Sequence, residues 1–385
     1  MKLNSIHSLI FVGSVLFLTA CSKDDDQPAP TPTPVTPVSY NVPTTYAFTD
    51  GNGASTVSFN GQQQRLEMLS ELSTYAKSAN TIGITVNAAT LKNMYSNNGY
   101  TWTDTPGYGM TGSSKQLKSK TAEGDVGVQA LFESYFDSLE VFSNLSYDNS
   151  AEAYGQAGVW DNGTKKYLMS EKGVEYAQLI EKGLMSAVFM NQMTINYLGT
   201  VGDDDNDNLL AGKNYTEMQH HWDEAYGYLT SEIDFPTQGT DRFWGKYVNS
   251  REVILGSAST LSEAFRKGRA AIDHKDYTTR DAQIVIIRNE MEKVAAASAI
   301  HYLNEAKSNI TSSTIKNHVL SEAWAFIDGL RYGYNAVSGS GMTTSEINSA
   351  LTYLIDFENI TIADINAAID LVASKTGLDN VKNSL

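Results

Sequence analysis

Six of the eight prolines in this chain fall in one short run, as Pro28, Pro30, Pro32, Pro34, Pro37 and Pro43. Only Pro106 and Pro236 follow. Inside a helix, proline removes a backbone donor and clashes with the preceding turn, at a cost of about 3 kcal/mol. Residues 27–43 are therefore expected as an extended, semi-rigid spacer. The chain after it is free to form long helices, and the folded body is expected to begin near residue 44.

Periodicity supports that expectation. Val128, Leu131, Phe132, Tyr135, Phe136, Leu139 and Phe142 follow helical spacing and predict one amphipathic helix. Asn60 to Asn80 carries Leu66, Met68, Leu69, Leu72 and Tyr75 at similar spacing. Residues 81–123 read mainly as loop, with a short helix near 88–96. Ser170 is placed to cap a long helix reaching about Leu198. Asn214 with Glu217 resembles a capping box that starts the next helix. Further helical patterns cover roughly 248–272, 278–308 and 313–336, with shorter ones near 344–355 and 361–375. No run alternates with period two, and no Asn-Gly hairpin is read between two such runs. The expected class is all-α, built as bundles.

The front end gives an address. Lys2 precedes an apolar stretch, Ile6 to Leu18, too short for a comfortable membrane span. It ends in Leu18-Thr19-Ala20-Cys21, which resembles a bacterial lipobox. That resemblance implies removal of residues 1–20 and acylation of Cys21 (palmitate-type chains), with stable anchoring to the outer membrane. Ser22-Lys23-Asp24-Asp25-Asp26 is similar to the acidic export signals of surface-displayed lipoproteins, and reads equally well as a solvated tether. Cys21 is the only cysteine, so no intrachain disulfide can form. The net charge of −16 argues against nucleic acid as a partner, since phosphate binding needs clustered Lys and Arg. Protein partners are left open.

The chemistry-bearing stretch is HHWDEAYGYL, His220 to Leu229. A related run, HVLSEAWAFI, spans His318 to Ile327. Aligning Glu224 with Glu322 places His220 over His318, four residues earlier in both. Residues at i and i+4 share a helix face, so each run offers an imidazole and a carboxylate one turn apart. Glu181-Lys182 precedes the first run and Glu292-Lys293 the second. The spacing is 43 residues in one case and 30 in the other, and the acidic loop from Val201 to Lys213 accounts for the difference. One helix–loop–helix plan used twice is the expectation, with halves at roughly 44–235 and 236–385.

The lipobox, the helical body, the duplicated halves and the His-x-x-Glu helix together resemble the imelysin-like proteins. The closest group is surface lipoproteins with an imelysin-like domain. The resemblance covers residues 44–385 and implies a pair of four-helix bundles. Its motif is Gly-x-His-x-x-Glu; His221 and Glu224 match the last two positions, and Gln219 stands where the family has glycine. It also implies a link to iron uptake or a metallopeptidase activity.

Several chemistries compete for these residues. His220, His221, Asp223, Glu224, His318 and Glu322 are suitable ligand types for iron or zinc, but one helical turn supplies only two ligands in good geometry. His301 with Glu305 is a third such pair, and Glu133, Glu140, Glu175 and Glu181 lie on candidate neighbours. The alternative is a core histidine hydrogen-bonded to a carboxylate, because His221 falls on the apolar stripe of Met218, Trp222, Ala225 and Leu229. For peptidase chemistry, neither a His-Glu-x-x-His helix nor a Gly-x-Ser-x-Gly elbow is present. Asp203, Asp205 and Asp207 begin like a calcium loop, but Asn208 and Asn214 stand where Gly and Glu are required. Trp222, Tyr226, Tyr228, Trp324 and Phe326 are expected in the core, and the loop aromatics Tyr100, Trp102 and Tyr108 are expected to pin their loop. The leading expectation is a surface-anchored, non-enzymatic lipoprotein binding a divalent metal, a metal complex or a small ligand, in iron or nutrient acquisition; a metallopeptidase and a structural or partner-binding protein are the alternatives.

Overall fold

The computed structural model describes residues 40–104, 109–150, 152–237 and 241–385; Cys21 and the tether lie outside them, as does Tyr108. The first half contains α1 (Asn60–Ser78), α2 (Ala88–Ser96), α3 (Val126–Leu145), β1 (Gly158–Asp161), β2 (Lys166–Met169), α4 (Tyr176–Leu184), α5 (Leu198–Thr200) and α6 (Glu217–Leu229). The second contains α7 (Phe243–Leu255), α8 (Ser257–Asp273), α9 (Tyr277–Ser308), α10 (Ser313–Gly329), α11 (Tyr334–Ser338), α12 (Thr344–Thr352) and α13 (Ile362–Thr376). Among the described residues the fold is mostly helical, and none of these helices is long and apolar enough to cross a membrane.

The middle of α9 explains the packing. Val294 to Ile300 reads VAAASAI, and every one of these residues is buried. Small side chains on all faces let neighbouring helices approach from every side. Accordingly α8, α10, α13 and α7 all pack on α9. The helices before α7 join the same core, because α10 packs on α4, and α6 packs on α8. One hydrophobic cluster runs from Tyr46 to Leu385. Each fully buried Leu, Ile or Phe in it contributes roughly 2 kcal/mol, so Leu320, Phe326 and Ile327 alone tie α10 firmly to its neighbours.

Several local expectations are corrected. The helix expected after Ser170 begins at Tyr176. Ser170 Oγ instead accepts from the Lys172 and Val174 backbones, and so forms the preceding turn. Beyond Leu184 the helix widens into π-helical turns at Met185–Met190 and Gln192–Tyr197. The pattern over 248–272 is two helices, because Gly256 adopts φ 68°, a left-handed conformation that ends α7. The last long pattern ends as a helix at Gly329 rather than near 336. The hairpin β1–β2 was not expected: its strands are four residues each, too short to show alternation, yet Asn162-Gly163 turns between them with Gly163 at φ 89°.

Candidate functional site

Thr216 rather than Asn214 caps α6. Its hydroxyl accepts from the Gln219 backbone, and the Gln219 side chain accepts from the Thr216 backbone. Asn214 is drawn away to Asp50 and the Ser55 carbonyl. This cap sets the pitch of the histidines. His220 donates through Nδ1 to the Ser58 carbonyl at 3.0 Å and stacks on Tyr215. Its Nε2 lies 4.0 Å from Glu224 Oε1, while Gln62 donates to that oxygen at 2.9 Å. Burial lowers the His220 pKa, which favours the neutral ring.

His221 is not on the core stripe. Met218, Trp222, Ala225 and Leu229 are buried, whereas His221 turns outward and donates through Nδ1 to Asp204 Oδ2 at 2.8 Å. The acidic loop therefore supplies a partner that helical spacing alone does not reveal. Burial pushes Asp204 up, and the His221 bond pulls against it. Asp205 accepts from the Asp207 and Asn208 backbones, and Asp207 pairs with Lys275. Asp203 is exposed.

The fully buried charged residue of this helix is Asp223. It accepts from Tyr46 at 2.8 Å, the Ser58 backbone at 3.1 Å and Arg269 Nε at 3.0 Å. Both Asp223 and Arg269 have side chains with 0% exposure. Burial pushes the Asp223 carboxyl up to about 6 against the pull of Arg269, so the pair is ionic at neutral pH. Arg269 also bonds Asp273 and Thr56, which locks α6, α8 and the segment before α1 together.

On α10, His318 lies between two carboxylates. Its Nδ1 is 2.5 Å from Glu175 Oε2, and its Nε2 is 3.5 Å from Glu322 Oε2. The ring stacks on Tyr167, with centroids 3.9 Å apart. Burial alone would lower the His318 pKa; Glu175 and Glu322 overrule it and raise it. Lys182 Nζ is 3.4 Å from Glu322 and 2.5 Å from Glu181, which also pairs with Lys77. Lys77, Glu181, Lys182, Glu322, His318 and Glu175 thus form one chain of alternating charge, running from α1 through α4 to α10. Burial pushes Glu181 up, yet Lys182 and Lys77 together hold it at about 2.

The α6 and α10 clusters share no partner in these bonds. His301 packs edge-on to Tyr302, and burial and Arg251 lower its pKa while Glu305 pulls the other way. Glu133 pairs with Lys118, and Glu140 accepts from Asn87. Among the described residues, no three His, Cys, Asp or Glu side chains come together as a metal ion would need. Trp222, Tyr226, Tyr228 and Phe326 are core residues, while Trp324 is partly buried against the core. Trp102 donates to Asn97 and Tyr100 to Glu71, which fastens their loop to the body.

Residues 43–384 match a domain of unknown function, DUF4856. The chain belongs to the DUF4856 family. No curated protein and no solved structure matches it.

The DUF4856 domain has an open, polar cleft of about 390 Å³ where α1, α4 and the start of α7 meet. Its walls include Ser70, Ser73 and Lys77 of α1, Glu181 and Lys182 of α4, and Arg242 and Lys246 at α7. Arg242 pairs with Glu67 at 2.7 Å and donates to Ser70. From sequence, Glu181-Lys182 stands out as a repeat marker and Glu181 as a candidate metal neighbour, while the other lining residues carry no signal. Lys77 and Glu181 are 104 residues apart, so no local pattern joins them.

Proposed function

We propose that this DUF4856 chain is a surface-anchored, non-enzymatic lipoprotein that binds a small polar ligand. Acyl chains on Cys21 hold it on the outer membrane, and the acidic, proline-rich tether sets it away from the lipid. The single observation behind the reading is the placement of His318 between Glu175 and Glu322, within a chain of paired charges. Polar groups satisfied in this way brace a scaffold. A catalytic imidazole or a metal ligand needs a nitrogen directed at open space. Of the ligand classes considered from sequence, a small molecule fits the geometry better than iron or zinc, and nutrient capture at the cell surface suits such a protein.

The imelysin-like plan belongs to the same proposal. His220–Glu224 and His318–Glu322 are both i,i+4 pairs, at 4.0 and 3.5 Å. Each lies on a helix packed against the long helical segment before it. The marker glutamates differ in role, since Glu181 pairs with lysines and Glu292 accepts from Asn335 and the Met342 backbone.

Cell fractionation tests the anchoring. The wild-type chain is expected in the outer-membrane fraction and sensitive to protease added to whole cells, and Cys21→Ala is expected to leave the membrane. Metal analysis of the purified full chain tests the ligand class. Stoichiometric iron or zinc, lost on replacing His220 and His221, would return the metal to first place.

A further inference from the structure

Four of the six charged side chains that line the cleft between α1, α4 and α7 are cations, on a protein whose net charge is −16, while Glu67 and Glu322 back two of them. Lys77, Lys182, Arg242 and Lys246 line it, against the carboxylates of Glu181 and Asp241. Lys77 and Lys182 both bond Glu181, one on each oxygen, and Lys182 also lies 3.4 Å from Glu322. Each ammonium has three donors, and one carboxylate oxygen satisfies only one of them. Lys246 makes no ion pair among the described residues.

A second observation points to a ligand. Ser73 is 5% exposed and lines the same cleft, and its hydroxyl has no hydrogen-bond partner among the described residues. A buried hydroxyl without a partner loses its hydration with nothing in return, and such groups are rare in folded proteins. A hydroxyl beside several cations can donate to an anion that the cations attract. The cleft volume exceeds that of a bare oxyanion and suits a small polar body carrying one. Tyr247 and Phe243 give it a partly aromatic wall.

We propose that this cleft binds a small molecule bearing a doubly charged oxyanion, held by Lys77, Lys182, Arg242 and Lys246 with the Ser73 hydroxyl as donor. The proposal rests on reading the chain as a small-ligand binder. Phosphate esters and dicarboxylates share the required chemistry. Both are small enough to enter, and both accept several charge-assisted hydrogen bonds.

Calorimetric titration of the full chain in detergent tests it, with glucose 6-phosphate, inorganic phosphate and succinate as probes. At least one probe is expected to bind saturably. Glucose 6-phosphate binding best identifies a phosphate ester, inorganic phosphate binding best identifies the bare oxyanion, and succinate binding best identifies a dicarboxylate. Lys246→Gln removes an exposed, unpaired cation and is expected to weaken binding about tenfold. Ser73→Ala is expected to weaken binding about threefold while leaving the fold equally or more stable, because it deletes a buried group that lacks a partner. This opposition of affinity and stability would not arise from a merely structural serine. No binding by any probe, or affinity unchanged in both variants, overturns the proposal. Failure here leaves the membrane address untouched, since fractionation reads that separately.

Discussion

His318 Nδ1 lies 2.5 Å from Oε2 of Glu175, a carboxylate whose side chain has no exposed surface. A buried carboxylate needs a charged or multiply donating partner. Besides the imidazole, the Glu175 carboxylate takes, among the described residues, the Gln178 amide at 3.2 Å. The pair therefore selects the imidazolium form, which distinguishes His318 from His220, its counterpart in the sequence alignment. His220 faces a carbonyl oxygen and is kept neutral by burial. Matching residues in the two runs thus carry different charge because different neighbours surround them.

Stability should depend on the His318 proton, with Glu175, Glu322, Lys182 and Tyr167 as the groups facing it. An unfolded imidazole titrates near 6.5, and the folded value is raised. The stabilisation is then complete below about 6.5 and is lost as pH rises through the folded value. Urea midpoints are expected to fall as the pH rises above about 6.5. His318→Gln should flatten that limb and cost about 3 kcal/mol at pH 6, because it leaves Glu175 buried without a cation. A slope identical in variant and wild type would assign the alkaline limb to other groups.

Asp223→Asn removes the charge facing Arg269 while keeping shape. The guanidinium, fully buried, then retains Asp273 alone as an ionic partner among the described residues. A loss of about 3 kcal/mol is expected, in the range for breaking a buried pair. Tyr46→Phe deletes one hydrogen bond to the same carboxylate and should cost about 1–2 kcal/mol. Denaturant melts of the two variants check the ranking; equal losses would mean that the ion pair adds little beyond a hydrogen bond.

What the sequence made legible follows from the range of the forces involved. α1, α3, α9 and α13 declare themselves because apolar spacing within one helix is local information. The hairpin at Gly158–Met169 escaped because four residues per strand give no period to count. The left-handed Gly256, which divides α7 from α8, is one residue inside an otherwise continuous pattern. His221 reads from sequence as a metal ligand or as a core histidine on an apolar stripe; Asp204, 17 residues earlier, draws it outward instead. The charge chain was invisible for the same reason at longer range, since Glu175 meets His318 across 143 residues. Residue types at the site were readable, but their partners come from other helices.

Gly268 on α8 marks a close approach. A Cβ there would stand 2.0 Å from the Trp222 ring, which is itself fully buried. Trp222 also donates to the Phe265 carbonyl at 3.0 Å, so the ring cannot slide away without losing that bond. Gly268→Ala gains helix propensity of about 1 kcal/mol, yet overpacking of this kind costs typically 1–3 kcal/mol. Net destabilisation is expected, and a thermal melt reads it. A variant more stable than wild type would show that α6 and α8 separate without penalty.

Asp241 gives the cleft a pH dependence of its own. Burial pushes its carboxyl up to about 6, although Thr230 and the Arg242 backbone donate to it. The other lining carboxylate does not titrate with it, because Lys182 and Lys77 hold Glu181 at about 2. Lowering the pH from 7.5 to 5 therefore neutralises one of the two lining carboxylates and removes a repulsion against any bound anion. Sulfate stays doubly charged over this range and isolates the effect. Its affinity is expected to rise about fivefold, corresponding to roughly 1 kcal/mol of repulsion at short range. Asp241→Asn should bind sulfate tightly at both pH values, because it carries no charge to lose. If wild type and Asp241→Asn show the same pH profile, the Asp241 carboxylate does not face the bound anion.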